Sequence, residues 1–455
     1  MKKVVILGAG ESGVGAALLA KSKSYEVFVS DKSKISDHYK QILLDNQIDF
    51  EEECHTPEKI LSANEIVKSP GIPDTAEIVV QAIEKQISIV SEIEFGFRNT
   101  KAKIIAITGS NGKTTTTLLT YHLLKNAGLN VGLAGNIGES FAKQVIENKY
   151  DYFVLETSSF QLDGCFLFKP YISVVLNITP DHLDRYNYNF DNYADSKMRI
   201  VRNQNDEDFF IYNADSEPIT NRILKLKPSV QQLPITLSSD DDLKNVSKVS
   251  YYQDGRITLR MPYNRPYQIV MQESELALKG MHNVFNSIAA ALVAQTLGVS
   301  EEKIREGLAT FEGVPHRLEE VAEIRGVKFV NDSKATNVDS VFYALGSFTS
   351  EKPNLIWIAG GIDKGNDYTQ IHDLVKEKVR YMIALGKDNT KLLNFFKNDV
   401  EHYETDDIEK AIKKAFRTAK KGDIVLLSPA CASFDLFKNY EDRGNQFREI
   451  VKSLK

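Results

Sequence analysis

Gly109, Gly112, Lys113 and Thr114 fall in the run IIAITGSNGKTTTT, Ile104 to Thr117, where an apolar β-branched stretch meets small residues and then a helical pattern through Leu118, Leu119 and Leu123. At such a strand-to-helix turn, successive backbone N–H groups form a nest for anions, a lysine adds fixed positive charge, and a threonine hydroxyl suits magnesium. The chemistry is phosphate binding, carried by Gly109, Ser110, Asn111, Gly112, Lys113, Thr114 and Thr115. The common phosphate-binding loop places four residues between its first glycine and Gly-Lys-Ser/Thr; here only Ser110 and Asn111 intervene.

Other candidate groups close or follow strand-like runs. Glu156 ends YFVLE, where a carboxylate beside phosphate oxygens fits a hard magnesium ion. His182 follows ISVVLNI (Ile172 to Ile178) and reads either as a functional group or, with Asp181, as part of a helix cap. Lys197, in YADSKMRI with Asp191, Asp195 and Arg199 at helical spacing, reads by itself as part of a solvated, ion-paired face. Later, HRLE (from His316), NDSKATN (from Asn331), GGIDKG (from Gly360) and SPACASFDLFKNYEDRG (from Ser428) mix small residues with Lys, Arg, Asp or Ser. Together they suggest a second half-site for anions, with Lys334 and Lys364 as cations.

These groups need a scaffold. The strand VVILG, the turn Gly8-Ala9-Gly10-Glu11-Ser12-Gly13, a helix over 14–21 and the strand EVFVSD ending at Asp31 form a Rossmann-type βαβ opening, whose acid can accept from a ribose or base. A second block restarts near residue 96. Its nearly continuous apolar strands predict a parallel sheet buried on both faces, with the polar strand ends converging on one site. Residues 205–275 read as an inserted or peripheral β region, and HNVFNSIAAALVAQTLG as a helix ended by Gly298. From about 313, VKFVND, LIWIAGG, YMIALG and DIVLLSPA alternate with helices such as 405–420. The expectation is an α/β protein of three domains: Rossmann-like over 1–95, a central P-loop-type ATPase domain with a mostly parallel sheet over 96–313, and a C-terminal Rossmann-like α/β domain over 314–455.

Composition narrows the function classes. With 455 residues, 42% hydrophobic and 26% charged, the chain has the make-up of an ordinary globular protein, and its formal charge of -6 argues against a nucleic-acid surface. Cys54, Cys165 and Cys431 lack the spacing of a zinc site or disulfide framework, which points to a reducing cytoplasm. No apolar run approaches the ~20 residues that cross a bilayer, so membrane insertion is not expected; a monomer is.

Taken together, TGSNGKTTT, LETSSFQL, NITPDHLDRY, YADSK, GMHNVFNSIAAA, PHRLE, NDSKATN and SPACASFDLFKNYEDRG, in that order along essentially the whole chain, resemble the Mur ligase family. The resemblance implies an ATP-dependent amide ligation in peptidoglycan synthesis. ATP would phosphorylate the terminal carboxylate of UDP-N-acetylmuramoyl-L-alanine, and the amine of D-glutamate would attack the acyl phosphate. By resemblance, Lys113 is the β/γ-phosphate ligand, Thr114 and Glu156 are magnesium ligands, and His182 is a ligand of a second magnesium. Lys197 matches a lysine carbamylated with carbon dioxide, which replaces the solvated-face reading. Asn286, Arg317 and Asp332 match positions on the adenine and ribose side of ATP. Lys334, Thr336, Lys364, Ser433 and Tyr440 match the region that receives D-glutamate. Ser12, Asp31 and Gly71 would hold the UDP moiety, with Asn136 and His182 nearer the muramoyl end. A nicotinamide oxidoreductase, a binding protein gated by ATP hydrolysis and a sister ligase with another acceptor are the rival readings; the first leaves Gly109–Thr114 and Lys197 without a purpose.

Overall fold

The computed structural model describes residues 2–181, 183–238, 249–260, 268–348, 352–363 and 365–454, so His182 and Lys364 lie outside the described residues. The chain divides into two compact units, Met1–Ala277 with Asn283–Phe311, and Leu278–His282 with Glu312–Lys455.

Two sheets build the first unit. One is made of β1 Lys3–Leu7, β2 Glu26–Ser30, β3 Asp49–Glu51, β4 Glu65–Lys68 and β5 Ser88–Val90, ordered β3-β2-β1-β4-β5 with every pair parallel. Val4 to Leu7 are fully buried, as the apolar text of a central strand requires. Strand order reverses between β1 and β4, the crevice where ligands of open α/β sheets bind. There the turn after β1 meets Ser69. Gly8 has φ +92°, and a Cβ on it would stand 2.6 Å from Ser69 Oγ, so both backbone sign and space demand glycine.

The second sheet comprises β6 Lys103–Thr108, β7 Val131–Gly135, β8 Tyr152–Glu156, β9 Ile172–Val175, β10 Phe209–Asn213, β11 Gln231–Thr236, β12 Ser250–Gln253, β13 Arg256–Arg260 and β14 Gln268–Gln272. Their order is β14-β13-β12-β11-β10-β9-β6-β8-β7. Pairing is parallel from β7 through β12 and antiparallel for β13 and β14. The stretch expected as an inserted or peripheral β region therefore continues the central sheet out to one edge. Phe210, Ile211, Leu233 and Ile235 bury that continuation. β9 is shorter than its apolar text, because after Val175 the chain leaves its strand partner and Asn177 O accepts from Ser110 N at 3.0 Å.

The two sheets of this unit are joined by a buried acid. Glu92 is 3% exposed, and its Oε1 accepts from Ser140 Oγ and Ala142 N, both at 2.7 Å. Burial pushes its carboxyl up to about 7, against the pull of these donors. The folded state thus holds a proton that the unfolded chain releases near pH 4.5, and the stability this contributes below that pH is lost as pH rises through 7. A carboxyl displaced this far carries roughly 3 kcal/mol between its protonation states. Glu92→Gln keeps the acceptor oxygen without the charge. Its midpoint of urea unfolding is expected to match wild type at pH 5 and exceed it increasingly toward pH 8; a difference independent of pH would count against this account.

The second unit contains β15 Glu319–Ile324, β16 Val327–Asn331, β17 Leu355–Gly360, β18 Val379–Leu385, β19 His402–Thr405 and β20 Ile424–Ala430, ordered β15-β16-β20-β17-β18-β19. All pairs are parallel except β15 with β16. Every residue of β17 is buried, and Trp357 donates from Nε1 to Ser428 O at 2.7 Å. β15 and β19 carry polar text because they are the edges. Among the described residues, no helix is long and apolar enough to cross a membrane.

Candidate active site

The glycine-lysine-threonine turn joins β6 to the helix Lys113–Asn126. Gly112, the N-cap, has φ +81° in the left-handed region, and a Cβ there would stand 2.7 Å from Asn286 Oδ1. Glycine is thus required twice over, and Asn286 is placed against the loop. The helix start, with its partial positive charge and no capping side chain, is suited to phosphate. The loop is braced from β9's extension: Asn177 Oδ1 accepts from Asn111 N at 2.8 Å, and Ser110 Oγ donates to Thr179 O at 2.8 Å and lies 2.9 Å from Tyr193 OH. Thr114 and Thr115 are buried directly behind it.

Two lysines converge on one carbonyl. Lys113 Nζ donates to Gly109 O and Ser110 O, each at 2.8 Å, and Lys197 Nζ donates to Gly109 O at 2.8 Å. Lys197 is 2% exposed, which corrects the solvated-face reading of its helix Phe190–Met198. The ion-paired face belongs to Asp191 and Asp195, which take Arg222 at 2.7 and 2.6 Å, while Lys197 turns inward. Periodicity gave the helix but not which charged residue faced the core. Burial, then the adjacent Lys113 charge, hold the Lys197 amine well below the ordinary lysine range, against the opposing pull of Asp181, Glu156 and Asp163. Its side chain stands 4.7 Å from the Tyr193 ring.

Strands β8, β6 and β9 are neighbours, so Glu156 ends beside the loop. It is 2% exposed. Its Oε1 accepts from Asn136 Nδ2 at 2.8 Å, whereas Oε2 is buried with no partner among the described residues. A buried carboxylate oxygen without a donor is costly unless a cation completes it. With the Thr114 hydroxyl, this donor set is hard and oxygen-only, and it fits magnesium.

At the β1–β4 crevice, Asp31 Oδ2 accepts from Ala9 N at 2.7 Å and Oδ1 from Ser33 N at 2.8 Å, so the carboxylate also fastens the glycine turn. Ser12 is half-buried in the first turn of the following helix, and Gly71 is exposed in the loop after β4.

In the second unit, Arg317 sits between His316 at φ +65° and Leu318 at φ +43°, an unusual backbone that aims one side chain at the cost of strain. Its Nε is buried without an acceptor among the described residues, as befits a donor for a ligand oxygen. Asp332 follows β16 and accepts from Ser428 Oγ at 2.8 Å and Leu318 N at 3.3 Å; burial pushes its carboxyl up to about 7, with Arg317 opposing. Lys334 Nζ lies 5.1 Å from the Tyr440 ring centre, Thr336 N donates to Lys334 O, and Ser433 is buried in the loop after β20. Arg443, 1% exposed, ties these loops together by donating to Ser333 Oγ (3.0 Å), Ser333 O (2.8 Å) and Cys431 O (3.3 Å). Sequence reading singled out neither Arg443 nor Asn177, since a side chain that serves backbone groups leaves no local signature.

Comparison with known proteins agrees with this arrangement. A Mur ligase middle domain matches residues 107–294, a Mur ligase glutamate ligase domain matches 316–431, and a MurD N-terminal domain matches 3–78. The UDP-N-acetylmuramoylalanine–D-glutamate ligase of Christiangramia forsetii is 51% identical over 454 residues, covering 100% of both chains. That of Porphyromonas gingivalis is 51% identical over 452 residues, covering 99% of this chain and 98% of the relative. Among solved structures, a pseudomurein peptide ligase type C from Methanothermus fervidus superposes with a TM-score of 0.62 at 21% identity, covering 100% of both chains, which speaks for the fold.

Proposed function

Since this chain belongs to the Mur ligase family, we propose that it joins D-glutamate to UDP-N-acetylmuramoyl-L-alanine with ATP as the phosphoryl donor, a cytoplasmic step of peptidoglycan synthesis. The observation that carries the reading is the convergence of Lys113, Lys197 and the half-satisfied Glu156 on the short glycine loop.

A carboxylate is a poor electrophile. Transfer of the γ-phosphoryl group to the substrate carboxylate forms a C(O)–O–P linkage and releases ADP, and attack by the D-glutamate amine then forms the amide and expels phosphate. Lys113 and the helix start bind the phosphates and offset the charge gathering there. Asn286, Arg317 and Asp332 serve the adenine and ribose, and Ser12, Asp31, Gly71 and Asn136 hold the UDP-linked substrate. Lys334, Thr336, Lys364, Ser433 and Tyr440 receive D-glutamate, whose two carboxylates call for cations and hydroxyls. Thr114 and Glu156 would hold magnesium, with His182 and Lys197 at a second site; the metal supplies neutralisation of phosphate charge when bound. Lys197, its amine shifted by burial toward the unprotonated form, would add to carbon dioxide through a new N–C bond, release one proton and become an anionic carbamate, an oxygen donor compatible with a metal. The protein works as a monomer, with these roles divided over residues 1–95, 96–313 and 314–455.

Phosphate release with UDP-N-acetylmuramoyl-L-alanine and ATP tests the acceptor directly. D-Glutamate is expected to support turnover at least ~100-fold above L-glutamate, L-alanine or meso-diaminopimelate, since a site built for two carboxylates of one hand leaves buried groups unpaired with the wrong acceptor. Faster turnover with any of the other three would assign the chain to a sister activity.

A further inference from the structure

Arg185 has no part in the roles above, yet it links the two sheets of the first unit. It lies in the short 3-10 helix Leu183–Tyr186, three residues after His182. Its guanidinium donates from Nη2 to Pro70 O at 3.2 Å, from Nη1 to Gly71 O at 3.3 Å and, more loosely, from Nη2 to Ile72 O at 3.5 Å. Its plane is supported on the Phe160 ring, 4.4 Å from the ring centre. Three successive carbonyls on one side chain require a planar, many-donor cation; a lysine offers only a point charge.

The loop held in this way has unspent polar groups of its own. Pro70 and Pro73 carry no N–H, and Ile72 N donates to Ser69 O at 3.1 Å. Ser69 Oγ is buried and without a partner among the described residues, and it faces the Gly8 turn. A buried hydroxyl left without a partner at the crevice where strand order reverses is what a ligand contact looks like before the ligand arrives. The carbonyls of Pro70 and Gly71 are committed to the middle block, Ile72 O is shared with Lys68 Nζ at 2.6 Å, and the loop's hydroxyl stands at the crevice of the first.

We propose that Arg185 is a positioning residue for the UDP-linked substrate. It fixes the Ser69–Ile72 loop against the 3-10 turn Leu183–Tyr186 of the middle block, so that one contact sets both the grip on the nucleotide end and the reach of the carboxylate toward the phosphate loop. The inference rests on the reaction proposed above. A mere staple between sheets would act on all substrates alike, whereas a positioning residue acts on one.

Arg185→Met keeps a long stem over Phe160 without donors, and Arg185→Lys restores charge without the fork. The KM for UDP-N-acetylmuramoyl-L-alanine is expected to rise about 10-fold or more in Arg185→Met and less in Arg185→Lys, as for loss of charge-assisted hydrogen bonds. The KM values for ATP and D-glutamate should stay within about twofold. Calorimetric titration of UDP-N-acetylmuramoyl-L-alanine without ATP should show the same weakening. Unchanged values in both variants, or a parallel rise for all three substrates, would overturn the assignment. If Arg185→Met does not fold, the same split in Arg185→Lys decides. Wild-type protein that binds the UDP substrate but makes no amide with D-glutamate would defeat the proposed reaction instead, and the titration would still report on Arg185.

Discussion

Lys113→Ala is expected to lower amide synthesis by about 10³-fold, the range lost when one fixed donor is removed from developing phosphate charge. The Nζ stands over the loop, on Gly109 O and Ser110 O, where strand, turn and helix start bring backbone donors and a cation together. Helix Lys113–Asn126 and its brace through Asn177 do not depend on the ammonium, so the variant should fold and retain weakened ATP binding. Phosphate release with all three substrates measures the first effect, and calorimetry with ADP the second. Synthesis within tenfold of wild type would remove the loop from the chemistry.

Lys197→Ala should cost a comparable factor, about 10²- to 10³-fold, and here the informative observation is recovery. Burial and the adjacent Lys113 charge hold the Lys197 amine well below the ordinary lysine range, which favours the unprotonated form that adds to carbon dioxide. If the anionic carbamate is the working group, a small carboxylate admitted to the space left by alanine should restore part of the rate. Bicarbonate or acetate supplies one. Removing carbon dioxide from the buffer should slow wild type while leaving the variant unchanged. A loss that no carboxylate repairs would mean that Lys197 acts through its hydrogen bond to Gly109 O alone.

Much of this arrangement was legible in the sequence because its central strands are buried on both faces. β6, β8, β17 and β20 appear as nearly continuous apolar text, and parallel order follows from the helices between them. The edges were not legible. β15 reads EEVAEI and β19 HYET, since a strand with one free side need not be apolar. The phosphate loop could be read from residues a few positions apart, because its glycines answer a local demand at Gly112. Lys197 could not: acids at helical spacing make a convincing solvent face, and only the resemblance of YADSK to a known motif argued otherwise. Arg185, Asn177 and Arg443 bind backbone or loop groups far away in sequence, and no spacing rule announces such a contact.

Arg443 carries one more implication. The helix Tyr440–Ser453 that delivers it is the last in the chain, while the loops it fastens after β16 and β20 are completed earlier. A nascent polypeptide halted before Tyr440 would own every strand of the third sheet and still lack the guanidinium that binds Ser333 to Cys431. During translation the loops after β16 and β20 therefore stay unfastened until the segment carrying Arg443 has left the ribosome.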